Sequence, residues 1–151
     1  MKAYQLSILA ENKPGTLARV TKILAKEKIN IRSITISSHG EFGIINAIVD
    51  HPRQAQKALG RNGLSVSLKN IIAVPIEDKP GAFDKLVQLL AGKNINIENS
   101  YGFVLESWKK AIIILDVQEL EMAREILEKA GFEILSEEEM SAVEPFHYMK
   151  Y

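Results

Sequence analysis

The chain has 151 residues, 46% hydrophobic and 25% charged, a balance ordinary for a soluble globular protein. Its 19 basic and 19 acidic side chains cancel, which removes the basic footprint expected of a binder of nucleic acid or anionic membrane. With no cysteine, disulfides, thiolate nucleophiles and cysteine-ligated metals are excluded.

Residues 3–10 partly alternate and predict a strand. Asn12 to Gly15 is a turn, and Pro14 suits a first helical position, where its missing N–H costs nothing. Leu17, Val20, Ile23 and Leu24 then follow helical spacing. Ile29, Ile31, Ile34 and Ile36 alternate with polar residues, with one slip of phase, and predict a second strand. Ser38-His39-Gly40-Glu41 reads as a hairpin turn into a third strand, Phe42 to Asp50. Pro52 opens a second helix that runs through Leu59 and ends at Asn62-Gly63. Leu64, Val66 and Leu68 alternate as a last strand.

The same series then recurs. Glu11-Asn12-Lys13-Pro14-Gly15 returns as Glu77-Asp78-Lys79-Pro80-Gly81, and Ile29-Asn30-Ile31 as Ile95-Asn96-Ile97, both offset by 66. Asp50 and Asp116 align in that register, whereas Gly63 and Gly131 are offset by 68. A two-residue insertion is therefore expected near the second helix of copy two. The second copy reads as a strand Ile71 to Ile76, a helix with Phe83, Leu86, Leu89 and Leu90 on one face, and a strand Ala111 to Val117. A helix from about Leu120 to Ala130, closed by Gly131, and a last strand through Phe132 and Ile134 complete it. The expected fold class is α+β: two ferredoxin-like βαββαβ units, each an antiparallel sheet with helices on one face, packed side by side. The units are expected at residues 1–68 and 69–136, with almost no linker at Lys69-Asn70. The tail 137–151 is an acidic run followed by Pro145-Phe146-His147-Tyr148. Met1-Lys2-Ala3-Tyr4-Gln5 turns polar too early for a signal peptide, and no apolar run reaches the ~20 residues that cross a bilayer, so a cytoplasmic location is expected.

A helix N-terminus offers free N–H groups and the positive end of the dipole, a site suited to a carboxylate. Gly15 and Gly81 open such helices without a Cβ to obstruct a ligand. Asn12 precedes the first, and Asn30, at the start of the next strand, is expected beside the same helix end. Uncharged amides and backbone N–H groups satisfy both ends of a zwitterionic amino acid without burying a counter-ion. Ile29, Ile31, Ile95 and Ile97 supply apolar surface for its side chain. As ordinary elements of structure, Asn12 and Asp78 are turn formers, and Gly15 and Gly81 serve turn geometry.

The stretch Asn12-Lys13-Pro14-Gly15-Thr16-Leu17, followed by Ile29-Asn30-Ile31, resembles the ACT-domain pattern. The resemblance reaches about Leu135, and the duplicated chain is similar to stand-alone tandem ACT proteins. It implies a βαββαβ fold and an effector amino acid held between neighbouring domains by the asparagines and the glycine turn. By the resemblance Asn12, Gly15 and Asn30 carry over in copy one and Gly81 and Asn96 in copy two; with their neighbours the expected ligand-binding residues are Asn12, Pro14, Gly15, Thr16, Leu17, Asn30 and Ile31 in copy one. In copy two they are Asp78, Gly81, Ala82, Phe83, Asn96 and Ile97. Asp78 stands where the pattern has asparagine, so the two sites are expected to be unequal, with Asp78 meeting the ligand amine or weakening its site.

The implied role is a homodimeric amino-acid sensor without a cofactor; the alternative is a regulatory subunit of a biosynthetic enzyme such as acetohydroxyacid synthase. His39, His51 and His147 lack metal-ligand spacing, and no nucleophile–base pair or phosphate loop is present. The third strands, Phe42 to Ile48 and Ala111 to Leu115, lack the aromatic pair on which RNA-recognition motifs stack bases. An interface role remains open to Tyr101 and Trp108 near the second hairpin.

Overall fold

The computed structural model describes residues 2–142. Tyr4–Lys69 forms one compact unit; the described residues from Asn70 onward, with residues 2–3, form another.

The first unit contains β1 (Ala3–Glu11), α1 (Thr16–Lys26), β2 (Ile31–His39), β3 (Phe42–Val49), α2 (Pro52–Arg61) and the opening residues of β4 (Ser65–Glu77). β3 lies between β1 and β2 and runs antiparallel to both, with Ile45 opposite Ile8 on one side and Ile36 on the other. Alternation sends Leu6, Ile8 and Ala10 of β1 and Ile45, Ala47 and Val49 of β3 to one face. Val20 and Leu24 of α1 and Ala55 and Leu59 of α2 close over that face, with Leu64, Val66 and Leu68 against it. Each large aliphatic side chain buried this way contributes about 1.5–3 kcal/mol. The opposite face carries a polar cluster: Gln5 Nε2 donates to Ser7 Oγ at 3.1 Å and to Asn46 Oδ1 at 3.2 Å, and Ser7 Oγ donates to Asn46 Oδ1 at 2.9 Å. Gln5 is buried there.

The second unit takes the rest of β4, then α3 (Ala82–Gly92), β5 (Ile97–Glu106), β6 (Lys110–Val117), α4 (Leu120–Lys129) and α5 (Glu137–Ser141). β6 lies between β4 and β5, antiparallel to both. Ile72, Val74, Leu115 and Val117 meet Leu86 and Leu90 of α3 and Ala123 and Leu127 of α4 in its core.

The phase slip in the isoleucine pattern of β2 is a β-bulge between Ile31 and Ser33, and β5 repeats it between Ile97 and Asn99. The extra residue restores the inward face, so Ile31, Ile34 and Ile36 share one side.

Four expectations are corrected. Pro14 is not at the first helical position: Gly15, at φ +92°, caps α1, and that left-handed residue delays the helix to Thr16. Gly81, at φ +88°, does the same before Ala82. The two-residue insertion lies in the β5–β6 hairpin rather than near the second helix. Ile31 faces Val49 and Ile97 faces Val117, so the offset has already become 68 on β6. Asp50 therefore corresponds to Gln118, and Asp116 to Ile48. The last strand of copy one and the first of copy two are a single strand, β4. The segment around Phe132 and Ile134 has no regular strand pairing; Leu135 N–H bonds Ala73 O at 2.9 Å, and the chain turns into α5 at once. α5 is held by a capping box between Ser136 and Glu139, with Met140 buried. The rest of the tail, with Pro145-Phe146-His147-Tyr148, lies outside the described residues.

Two predictions test this packing. A Cβ on Gly102 of β5 would meet Ile112 O across the ladder at 2.5 Å. Gly102→Ala should cost about 1–3 kcal/mol in urea unfolding, whereas Gly92→Ala, with open space around its Cβ, should be neutral or stabilising. Burial, and then the Asp116 carboxylate, push the Tyr101 phenol well above the ordinary tyrosine range. Because the raised value favours the neutral phenol in the folded state, stability should fall as pH rises past about 10, where the unfolded chain ionises. Absorbance titration should show Tyr101 ionising only as the fold is lost.

Candidate functional site

β1 ends at Glu11, and the four residues Asn12 to Gly15 carry the chain over the sheet edge into α1. The left-handed Gly15 cap has no side-chain acceptor, and the first turn of α1 holds no acidic residue, so the positive end of this helix lacks a carboxylate of its own. Arg19 N–H bonds back to Gly15 O at 2.9 Å, the first regular helical bond after the cap.

The turn is fastened to the β2–β3 hairpin. Asn12 N–H bonds Glu41 O at 2.7 Å, and Asn12 Nδ2 donates to Gly40 O at 2.9 Å. On the other flank the Arg19 guanidinium donates to Asn62 O, which fixes the loop after α2. Lys13 pairs with Glu11 at 3.0 Å in an exposed ion pair.

Two clefts border the turn. The larger, about 490 Å³, lies between Leu9 to Glu11, Lys13 to Thr16 and Arg19, Phe42, and Gly63 to Ser65. That volume is within the range of small-molecule sites, about 300–1,000 Å³. The smaller, about 90 Å³, lies towards β2, between Asn12, Thr16, Leu17, Ile36, Ser38 and Ile45. Thr16 borders both.

The structure thus brings together Asn12, Pro14, Gly15, Thr16 and Leu17. Asn30 and Ile31 are elsewhere in the unit. They follow the C-terminal end of α1, an 11-residue helix about 16 Å long, and not its N-terminus. The crossover connection decides this: α1 runs back along the sheet before β2 begins. Asn30 N–H bonds Asp50 Oδ1 at 3.0 Å, and Asn30 O accepts from Asp50 N–H at 3.2 Å. Ile31 packs against the first core.

In the second unit Gly81, Ala82 and Phe83 start α3, while Asn96 and Ile97 follow its far end. Asp78 makes the hairpin tie with reversed polarity: its Oδ2 accepts from Trp108 N–H at 2.7 Å, and its own N–H bonds Lys109 O at 3.2 Å. Trp108 sits at φ +66° at the hairpin tip, with its ring exposed. A hydrogen bond and the charge of Lys79 hold the Glu77 carboxyl below the usual range.

Sequence reasoning set Ser38, Gly40, Phe42 and Trp108 in or beside the hairpins but did not bring them to these turns, and it left out Arg19. Arg19 was within reach, being one helical turn beyond Gly15; the others depend on where the hairpin folds. Among the described residues no group of three or more His, Asp or Glu side chains is placed to hold a metal, and no helix is long and apolar enough to cross a membrane.

The first half of this chain is a ferredoxin-like βαββαβ module with a glycine-capped first helix, and the second repeats the order βαββα with no paired final strand. The chain belongs to the ACT domain family: its sequence matches that family's ACT domain pair over residues 1–144. Among solved structures it is similar to a protein from Bacteroides thetaiotaomicron, with 32% identity and a TM-score of 0.88 over 94% of this chain and 97% of the other. It is also similar to the regulatory subunit of aspartate kinase from Thermus thermophilus in its ligand-free form, with 22% identity and a TM-score of 0.63 over 85% of this chain and 92% of the other. The corresponding subunit from Thermus flavus gives 20% identity and a TM-score of 0.59, over 86% and 93%. With the two kinase subunits the likeness is one of fold. No curated protein matches the sequence.

The hairpin ties predict unequal tolerance of a reciprocal exchange. Asn12→Asp replaces a donor with an acceptor that faces Gly40 O, and should cost about 1 kcal/mol or more. Asp78→Asn keeps an oxygen for Trp108 N–H and should cost less than about 1 kcal/mol. Urea unfolding of the two variants at neutral pH measures the difference.

Proposed function

We propose that this chain is a non-catalytic, cytoplasmic amino-acid sensor that binds a free amino acid at the ACT helix-entry turn. The observation that carries the reading is the uncapped, acid-free start of α1 opening beside two clefts that share Thr16, with Asn12 and Leu17 lining the smaller. Backbone N–H groups there suit the ligand carboxylate. The amide of Asn12 and the hydroxyl of Thr16 offer polar partners, and Leu17, Ile36 and Phe42 offer apolar surface for an aliphatic or aromatic side chain. Membership of the ACT family supports the same ligand class.

Within one unit Asn12 and Asn30 stand at opposite ends of α1, so one ligand cannot touch both. The role proposed for Asn30, Ile31, Asn96 and Ile97 is therefore to complete a site on a second copy of the chain, in a homodimer related by a two-fold axis.

A second reading makes the chain a regulatory subunit of a biosynthetic enzyme. Two regulatory subunits of aspartate kinase share its architecture over more than nine-tenths of their own length. Acetohydroxyacid synthase is another enzyme of the kind such a subunit would serve.

Thermal unfolding against each of the twenty amino acids at millimolar concentration tests the sensor reading. An amino acid present at a hundred times its Kd adds about 2.7 kcal/mol, which is on the order of 5–10 °C for a chain of this size. A flat panel would sink the free-standing sensor, and co-purification of a catalytic chain would then decide for the subunit.

A further inference from the structure

The two helix-entry turns match in register and backbone, yet they differ at five of nine positions between 11–19 and 77–85. Three of those changes bear on a bound carboxylate. In the first turn the side chain of Asn12 is neutral, Thr16 carries a hydroxyl at the start of α1, and Ala18 is exposed. In the second, Asp78 and Asp84 replace Asn12 and Ala18, and Ala82 removes the hydroxyl. Glu11 against Lys13 and Arg19 leaves the first segment at +1; Glu77, Asp78 and Asp84 against Lys79 and Lys85 leave the second at −1.

The N-terminal end of a helix carries roughly half a positive charge. Two carboxylates at the entry of α3 more than cancel it, whereas α1 keeps its own. Asp78 holds Trp108 N–H through Oδ2 at 2.7 Å, as Asn12 holds Gly40 O through Nδ2, so the two turns differ in charge rather than in the tie. A free ammonium would be welcome beside Asp78, but an α-amino acid carries its carboxylate on the same carbon as its ammonium. It cannot present the one without bringing the other into the same field. We infer that the second turn does not take the ligand, so the chain carries one effector site, in the first unit, and Asp78 serves as a hairpin clamp. This inference rests on the amino-acid-sensor reading above and fixes its stoichiometry at one amino acid per chain.

The test uses the full chain labelled with nitrogen-15 and titrated with an equimolar mixture of the twenty L-amino acids. The amide resonances of Gly15, Thr16 and Leu17 should move, and those of Gly81, Ala82 and Phe83 should stay in place. Ala18→Asp transplants the charge of Asp84 onto the exposed first turn of α1. An acidic residue there favours the helix, so the variant should fold at least as well as the parent. It should bind about tenfold more weakly, the effect of a like charge a few ångströms from the ligand carboxylate. Movement at both turns with a common midpoint would overturn the single-site inference and leave the sensor reading standing. So would loss of the Ala18→Asp effect, because the electrostatic basis would be gone. Silence at both turns would overturn the sensor reading, and the inference with it.

Discussion

Where β1 gives way to α1, the chain must reverse within four residues and still deliver helix N–H groups to the end of the sheet. A left-handed residue makes that possible, and in both units it is glycine, at φ +92° and +88°. Because Gly15 rather than a serine or aspartate occupies the cap, no side chain satisfies the first N–H groups of α1. The same reversal sets Asn12 against the hairpin tip, where it bonds Glu41 through its backbone and Gly40 through its side chain. Two hydrogen bonds thereby tie the turn to the hairpin.

The two units make that tie with opposite chemistry. The β2–β3 hairpin has a two-residue tip and turns a carbonyl towards residue 12; the β5–β6 hairpin is longer and turns an N–H towards residue 78. A donor is needed in one place and an acceptor in the other. Asparagine could supply either, so the aspartate at residue 78 adds a charge at the α3 entry that the tie itself does not require.

Much of this was legible in the sequence, because it depends on local chemistry. The duplicated Lys-Pro-Gly turns located both helix entries, and the slip among Ile29, Ile31, Ile34 and Ile36 marked a bulge. The alternating and helical apolar spacings gave the order of elements up to the last helix, and the resemblance of Asn12 to Leu17 and Ile29 to Ile31 to the ACT pattern pointed to the family. What escaped depends on pairing across distance. Asp50 and Asp116 align by eye at offset 66, yet only strand register shows that the shift to 68 comes before Asp116. Asn30 looks adjacent to Gly15 in a motif, but a helix length separates them because α1 must traverse the sheet first. The sequence reads two strands, Leu64 to Leu68 and Ile71 to Ile76, where one strand runs from Ser65 to Glu77.

A duplicated protein also faces a problem of identity, since each strand has a near-copy elsewhere in the same chain. The Gln5–Ser7–Asn46 cluster distinguishes the copies. Its counterparts by register are Ile71, Ala73 and Ile114, all apolar and buried. If β1 took β6 as its neighbour in place of β3, Gln5 and Ser7 would keep their mutual bond but lose Asn46 and face isoleucines, a cost of about 1–3 kcal/mol for a buried group that loses its partner. Three polar side chains on an otherwise ordinary sheet face thus act as an address label. The loss of their bonds penalises exchange of strands between repeats or between neighbouring chains.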